Sequence, residues 1–240
     1  MRLNPIFPAL ALSLFFGSAF ADETSLRKAL QATFAGEKIE SIKKTPYLGL
    51  YEVVLGGELF YTNENASYLF FGHVVDPQTR QSLTSERLQQ IKDARRINPD
   101  SLPLELAMKS VKGSGKRKLV VFSDPNCPYC KHLEKELVNV TDVTIYTLLY
   151  PVLNGSIATV TSIWCSPDRL KAWDNFMLRG ITPAAKDCDT PIETLLEAGK
   201  TNGISGTPTL IFADGSILPG MVPAATIEKK LNEARITNSQ

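Results

Sequence analysis

Residues 124–133 read DPNCPYCKHL and place two cysteines, Cys127 and Cys130, close together with a proline and a tyrosine between them. Three kinds of chemistry use such a pair. It can supply half of a tetrahedral zinc site, it can form a structural disulfide, or it can exchange thiols and disulfides with another molecule. The rest of the chain distinguishes among these three.

The flanking sequence indicates that Cys127 lies where a strand is followed by a helix. Residues 119–123 form an apolar run typical of a buried strand, and Pro128 suits the first position of a helix because its missing N–H would be unpaired there. The positive end of a helix dipole favours a thiolate over a thiol. We therefore expect Cys127, at the exposed end of the helix, to attack a disulfide and Cys130 to resolve the mixed disulfide.

A zinc site would need further ligands at suitable spacing. The other two cysteines, Cys165 and Cys188, do not form a second close pair. His132 would lie on a helix that directs it away from Cys127, and His73 is expected in a strand of the N-terminal half. We therefore expect neither a metal site nor a cofactor, and a cysteine–histidine hydrolase would lack an orienting partner for its base.

The second pair of cysteines has two interpretations. A bond between Cys165 and Cys188 would close a helical segment on itself and stabilise it by about 3 kcal/mol in the chain-entropy model. The alternative is a second redox shuttle. The structural role is favoured, because the two cysteines lack CxxC spacing and Cys188 is not predicted to lie at the N-terminus of a helix.

The stretch SGTPTLIF places Thr207-Pro208 directly before an apolar run typical of a strand. A cis bond there could hold the backbone beside the cysteine pair, with the N–H and C=O of Thr207 free to pair with an extended substrate. An ordinary trans proline at the start of a strand fits the sequence equally well.

The N-terminus has the organisation of a secretory signal peptide. Arg2 precedes an apolar run over residues 6–16, and Ser18-Ala19-Phe20-Ala21 supplies a small-x-small cleavage site. We expect cleavage after Ala21, because the apolar run is shorter than the about 20 residues that a membrane span needs. No later stretch is long and apolar enough for a span, so we expect no membrane insertion of the mature chain.

The charge balance excludes nucleic acid as an expected partner. The chain has 26 Lys+Arg and 25 Asp+Glu, and loss of Arg2 with the signal peptide leaves 25 of each. A neutral chain lacks the concentrated positive field that phosphate binding needs. An even number of cysteines in an exported protein also suggests disulfide chemistry.

Sequence periodicity predicts two domains that mix α and β structure. Residues 22–45 have helical spacing, and three β-rich runs follow with Gly and Asn turns, which predicts a small sheet whose edge either dimerises or packs within the monomer. The third β-rich run covers residues 67–75. We predict an N-terminal domain at 22–80, a linker helix and connection at 81–112, and a second α/β domain at 113–240. In the second domain residues 157–178 have a helical pattern, and Asp214-Gly215 predicts the turn of a hairpin.

Five segments resemble one family. They are FSDPNCPYC, SIWCSPDRLKAWD, PAAKDCD, GISGTPTLIFADG and LPGMVP, and they are similar to the bacterial periplasmic disulfide isomerases of the DsbC/DsbG type. The resemblance covers the mature chain and is strongest from about residue 117 onward. It implies a C-terminal thioredoxin fold with a helical insertion and an N-terminal cystatin-like dimerisation domain. It also implies a V-shaped homodimer whose cleft holds misfolded or mis-oxidised exported proteins.

Carried over by position, the resemblance also assigns roles to residues. It implies that Cys127 is the nucleophile, Cys130 the resolving cysteine and Cys165–Cys188 a structural disulfide. It further implies that a membrane reductase of the DsbD type keeps the active pair reduced. The residues that would bind substrate are those between the cysteines and those of the cis-proline loop, namely Pro128, Tyr129, Thr207 and Pro208.

The dipeptide between the cysteines departs from the DsbC pattern. DsbC-like members typically carry Gly-Tyr there, whereas Pro128-Tyr129 looks like the dipeptide of DsbG-like proteins, which generally lack the second cysteine pair present here. The second pair and the IWC segment favour a DsbC-like protein.

We therefore predict a periplasmic thiol:disulfide interchange protein that reshuffles or reduces incorrect disulfides. One alternative is a DsbG-like reductase of sulfenylated cysteines with chaperone activity. Two others are a chaperone that does not need its thiols and a monomeric oxidase of the DsbA type. The N-terminal domain argues against the oxidase.

Overall fold

The structure, a computed structural model, describes residues 19–237 and the side chains of residues 23–234. The chain divides into two compact units, with the boundary between Gln89 and Gln90. Both units combine helices and strands, so the predicted mixed α+β class is confirmed. Most of the predicted signal peptide, residues 1–18, lies outside the described residues, and its cleavage after Ala21 stays a prediction. Among the described helices, none is long and apolar enough to cross a membrane.

The N-terminal unit is one helix packed on a four-stranded antiparallel sheet. Its elements, with the strands in the order β1-β2-β3-β4, are α1 (Ala19–Thr33), β1 (Ile39–Lys44), β2 (Tyr51–Leu55), β3 (Glu58–Thr62) and β4 (Leu69–Phe70). Leu26 and Leu30 lie one turn apart on α1 and are fully buried in a core cluster with Phe60 of the sheet. Gly56 and Gly57 both have positive φ, which suits the tight turn between β2 and β3.

The prediction of a helix as far as residue 45 is wrong, because residues 39–44 form β1. Ile39 and Ile42 are both buried although they are three positions apart, which is a helical spacing. A register irregularity between Ile39 and Ser41 explains this, since an extra residue in a strand shifts which side chains face the core.

The third predicted strand, at residues 67–75, is much shorter than expected. Only Leu69–Phe70 pairs with β3, so β4 forms a short edge of the sheet. His73 lies outside the strands, contrary to the prediction, and its Nδ1 lies 2.8 Å from the hydroxyl of Ser82.

A helix, α2 (Leu83–Ala94), follows the N-terminal sheet and is largely exposed, as predicted for a connecting helix. Its one buried residue is Thr84, whose hydroxyl lies 2.7 Å from the Tyr61 hydroxyl. Arg87 forms an ion pair with Glu52 at 2.8 Å. The first turns of α2 are therefore attached to the N-terminal sheet.

The C-terminal unit is built on a five-stranded sheet with the order β5-β7-β6-β8-β9. β6 and β7 are parallel, and the other neighbouring pairs are antiparallel. The elements are β5 (Met108–Lys112), β6 (Arg117–Ser123), α3 (Pro128–Leu137), β7 (Val143–Leu149), α4 (Ser156–Trp164), α5 (Arg169–Arg179), α6 (Ile192–Thr201), β8 (Thr209–Phe212), β9 (Ile217–Pro219) and α7 (Ala224–Thr237).

Successive residues of the central strand β6 face opposite sides of the sheet. Val120 and Phe122 join a core cluster with residues of α4, α5 and α6. Leu119 and Val121 join a second cluster with residues of α3 and α7. Helices therefore cover both faces of β6, and its C-terminal end is enclosed between them.

Two elements of this unit differ from the prediction. β5 lies in the segment predicted as a connection, yet it pairs with β7 along its whole length. The helical segment predicted over residues 157–178 is two helices, since α4 ends at Trp164 and Asp168 caps α5 by accepting a hydrogen bond from Lys171 N–H at 3.0 Å.

Candidate active site

The structure confirms the predicted elements around the cysteine pair. β6 ends at Ser123, and α3 begins at Pro128 with Cys127 as its N-cap residue. Cys127 has the extended backbone (φ −75°, ψ 119°) that is usual at this position. Its N–H donates to the carbonyl of Asp124 at 3.1 Å, which fixes the turn between the strand and the helix.

Both thiols of the pair are free, and both are buried. Cys127 is 5% exposed and Cys130 is fully buried. The expectation that the Cys127 sulfur is exposed at the helix end is wrong for this conformation, because a later loop covers it. Cys127 Sγ donates to the carbonyl oxygen of Thr207 at 3.3 Å, so that carbonyl is occupied rather than free for substrate.

The fully buried Cys130 is held as a neutral thiol. Burial raises the pKa of Cys130 to about 12, and the neighbouring Cys127 adds to the rise. The nearby Ser123 hydroxyl, the Asp124 backbone N–H and the Thr207 side chain act in the opposite direction and lower the pKa. The Asp124 N–H lies 3.4 Å from Cys130 Sγ. Cys130 therefore keeps its proton near neutral pH unless its surroundings change.

The loop that covers the pair contains a cis peptide bond between Thr207 and Pro208, which is one of the two alternatives that the sequence left open. Thr207 contacts both cysteines, through its carbonyl to Cys127 and through its side chain to Cys130. The carbonyl of Pro208 accepts from Gly220 N–H at 2.7 Å, which attaches the loop to the end of β9. Two segments far apart in sequence thus meet at the sulfurs.

Asp124 organises the loop beside the pair, although no pattern in the sequence distinguishes it as a functional residue. Its carboxyl group is fully buried. One oxygen accepts from Asn126 N–H at 2.8 Å and from the Ser156 hydroxyl at 2.6 Å. The other accepts from the N–H groups of Val152 and Leu153, both at 2.9 Å. Asp124 therefore connects the cysteine-bearing turn to the loop after β7.

The dipeptide between the cysteines faces solvent. Pro128 is exposed, and Tyr129 is 65% exposed although it is a large aromatic side chain. Val152 and Leu153, on the loop that Asp124 holds, also expose apolar side chains. The surroundings of the pair thus offer apolar contact area to another molecule.

The other two cysteines form a disulfide in the structure. Cys165 caps the C-terminus of α4, and Cys188 lies in the exposed segment between α5 and α6. The bond encloses α5, so it links the end of α4 to the segment that follows α5. Cys188 is not at a helix N-terminus.

His132 is exposed on α3, as expected. No group of three or more His, Cys, Asp or Glu residues in the described part of the chain could hold a metal ion.

A mixed sheet with a CxxC pair at the start of the helix after its central strand, and a cis-proline loop against that pair, defines a thiol–disulfide oxidoreductase of thioredoxin-like fold. The family comparisons agree. Residues 104–235 match the thioredoxin-like domain, and residues 17–85 match the disulfide bond isomerase protein N-terminal domain. The chain belongs to the DsbC family of thiol:disulfide interchange proteins, and it is an enzyme of the protein disulfide isomerase class.

Individual relatives support the same assignment. The probable thiol:disulfide interchange protein DsbC of Bordetella avium is 41% identical over 208 residues, which are 86% of this chain and 74% of that protein. The Escherichia coli protein DsbC is 24% identical over 228 residues, 92% of each chain. The crystal structure of a disulfide interchange protein from Neisseria gonorrhoeae is 38% identical, covers 55% of this chain and 98% of that one, and superposes with a TM-score of 0.53.

Proposed function

We propose that this protein is a periplasmic disulfide isomerase and reductase in which Cys127 attacks incorrect disulfides of exported proteins and Cys130 resolves the product. One observation carries the proposal: a free thiol pair lies at the N-terminus of α3, with Cys130 fully buried and Cys127, the N-cap residue, slightly exposed. Cys127 lies at the positive end of the α3 dipole, whereas burial keeps Cys130 protonated until it attacks.

The first step forms a mixed disulfide. The Cys127 thiolate attacks one sulfur of a client disulfide, so that a Cys127–client bond forms and the other client sulfur leaves as a thiolate. In isomerisation another client thiolate then attacks the client sulfur of the mixed disulfide and releases Cys127. In reduction Cys130 loses its proton and attacks Cys127, which leaves the client with two thiols and the enzyme with a disulfide.

Substrate contact in this proposal comes from the residues that surround Cys127. Tyr129 and Pro128 offer exposed apolar area, and the carbonyl of Thr207, which precedes Pro208 in the cis-proline loop, lies against the sulfur. A client strand that approached Cys127 would replace the S–H···O bond to Thr207 with a hydrogen bond of its own. An extended, partly unfolded client fits this arrangement better than a folded surface does.

The cellular setting belongs to the same proposal. The N-terminal sequence pattern directs the chain to the periplasm and is cleaved after Ala21. After each reduction of a client the Cys127–Cys130 disulfide must be reduced again, and a membrane reductase of the DsbD type would supply the electrons. We expect Cys127 and Cys130 to be predominantly reduced in periplasmic extracts. A predominantly oxidised pair would instead indicate an oxidase.

The function is tested by the refolding of a scrambled multi-disulfide protein in a glutathione buffer. The wild-type protein is expected to accelerate recovery of the native client, and Cys127→Ala is expected to abolish the effect. Cys130→Ala is the matched control: it should keep part of the isomerase activity but accumulate a covalent complex with the client on non-reducing gels. Equal activity of wild type and Cys127→Ala would contradict the thiol mechanism.

A second candidate rests on the Pro128-Tyr129 dipeptide, which resembles that of DsbG-like proteins. In this function Cys127 attacks a sulfenic acid on a single client cysteine, hydroxide leaves, and Cys130 resolves the mixed disulfide to give a client thiol. A single-cysteine client oxidised with peroxide distinguishes the two. If this client is reduced faster than a scrambled client, the reductase function is favoured. In a separate assay, suppression of client aggregation by the Cys127→Ala variant would indicate chaperone activity.

We also propose that the N-terminal unit forms the homodimer. β4 is the edge strand of its sheet, and an edge strand leaves backbone N–H and C=O groups available for pairing. Three exposed aromatic side chains, Tyr68, Phe70 and Phe71, lie on or beside this edge. An exposed apolar edge of this kind is typical of an interface.

Charged substitutions at the edge are expected to separate the dimer. The double variant Tyr68→Asp/Phe70→Asp should sediment as a monomer at micromolar concentration, because two carboxylates would have to be buried at the interface. Leu48→Asp replaces one exposed apolar side chain by a carboxylate in the turn between β1 and β2, away from this edge, and the variant should remain a dimer. A wild-type protein that sediments as a monomer would refute the homodimer.

A further inference from the structure

The resolving step poses a problem for a fully buried sulfur. Cys130 must become a thiolate before it can attack Cys127, yet its burial strongly opposes the loss of the proton. A buried anion needs hydrogen-bond donors that are already in place. The surroundings of Cys130 therefore decide how fast a mixed disulfide is resolved.

Three donors lie against the Cys130 sulfur. The Asp124 N–H is 3.4 Å from Sγ, and the side chains of Thr207 and Ser123 interact with the same thiol. Each of them favours the ionised form. Thr207 belongs to the loop that a client must contact. Ser123 is the last residue of β6 and Asp124 follows it directly, so neither depends on the client.

Ser123 differs from the other two donors in one respect. Its side chain is fully buried, and its hydroxyl is the one buried polar side-chain atom in the described part of the chain that has no well-formed hydrogen bond. Its backbone carbonyl is occupied by Tyr150 N–H at 2.9 Å, so the residue cannot move away from this position easily. A buried hydroxyl without an acceptor is unfavourable unless another state of the protein supplies one.

We propose that Ser123 is a catalytic residue for resolution and that its hydroxyl donates to the Cys130 sulfur once that sulfur is a thiolate. A neutral thiol is a weak acceptor, whereas a thiolate is a strong one, so the hydroxyl gains its partner when the proton leaves. The proposal rests on the proposed function, because it assumes that Cys130 attacks Cys127.

Cys130 gives up its proton to solvent, its thiolate attacks Cys127 Sγ, and the Cys127–Cys130 bond forms as the Cys127–client bond breaks. The client sulfur leaves with the bonding electron pair and takes a proton from solvent. The client is reduced by two electrons and the enzyme pair is oxidised by two, while Ser123 remains chemically unchanged.

Ellman's reagent separates the two steps in one stopped-flow experiment. Attack by Cys127 releases a first thionitrobenzoate, and attack by Cys130 on the resulting mixed disulfide releases a second. Ser123→Ala is expected to leave the first phase unchanged and to slow the second about three- to tenfold at neutral pH. The slowing reflects the loss of one hydrogen bond to a charged group, which makes the Cys130 thiolate harder to form. Part of this loss in rate is offset, because a more basic thiolate is also more nucleophilic.

A matched pair of variants isolates the hydroxyl from the volume of the side chain. Thr and Val at position 123 have nearly the same shape, so Ser123→Thr should resolve faster than Ser123→Val even if both are less stable than the wild type. A second phase of equal rate in these two variants, or an equal slowing of both phases in Ser123→Ala, would overturn the proposal. Absence of the first phase in the wild type would instead refute the proposed function.

Discussion

Asp124→Ala is expected to lower the free energy of unfolding of the C-terminal unit by about 4 kcal/mol. The variant removes a carboxyl group that accepts from three backbone N–H groups and one hydroxyl, contributed by Asn126, Val152, Leu153 and Ser156. All four bonds end at a fully buried residue, and only the Val152 N–H would keep another acceptor, the Tyr150 carbonyl at 3.0 Å. The other three donors would be left without acceptors or would have to bind water. A loss of this size is a large part of the stability of an ordinary domain.

Tryptophan fluorescence during denaturant unfolding measures this loss in the C-terminal unit, which contains Asp124. Both tryptophans of the chain, Trp164 and Trp173, lie in the C-terminal unit and are buried. Asp168→Ala is the matched control, because Asp168 is exposed and makes one backbone hydrogen bond as the N-cap of α5. It should cost about 1 kcal/mol. Equal losses in the two variants would show that Asp124 is no more than a local cap.

The position of the cysteine pair was predictable because its signals are local. An apolar run marks β6, and a proline suited to the first helical position marks the start of α3. These signals act over a few residues and need no knowledge of the rest of the fold. The same is true of the hairpin formed by β8 and β9, which turns at Asp214-Gly215.

The two edge strands β1 and β5 were not predictable in the same way. Their sequences, IESIKK and MKSVK, are largely polar, and only their pairing with β2 and β7 makes them strands. In β1 the bulge also gave the buried isoleucines a helical spacing. Tertiary pairing overrides local preference in such segments.

The surroundings of the sulfurs could not be predicted for a related reason. Asp124 and Ser123 stand beside the pair in the sequence, but their roles depend on groups in the loop after β7 and on the buried position of Cys130. Likewise, the sequence allowed either isomer at Thr207-Pro208, and nothing in it indicated that the Thr207 carbonyl would cover Cys127.

A partly buried acid on the active-site helix gives the second large effect. Glu134 lies one turn after Cys130 on α3 and accepts a hydrogen bond from the Trp173 indole N–H at 3.0 Å. Burial raises the pKa of Glu134 to about 7, with an added contribution from Asp174, while the hydrogen bond from Trp173 and the charge of Lys112 oppose the rise. The folded protein thus keeps a proton that an unfolded glutamate, with a pKa of about 4.3, has already lost.

The proton on Glu134 makes the folded protein less stable as the pH rises. Between about pH 4.3 and pH 7 the folded state binds more protons at Glu134 than the unfolded state does, so the free energy of unfolding falls as the pH rises through this range. Glu134→Gln keeps an acceptor for Trp173 but cannot ionise. We therefore expect the variant to be about 2 to 3 kcal/mol more stable than the wild type at pH 8 and nearly equal to it at pH 4.

Unfolding curves at these two pH values, again followed by tryptophan fluorescence, measure the difference. Glu105→Gln serves as the control, because Glu105 is exposed in a short turn and its replacement should change stability little at either pH. A Glu134→Gln variant that is less stable than the wild type at pH 8 would show that the ionised carboxylate is stabilising. In that case the charge of Lys112, rather than burial, would govern this part of the helix interface.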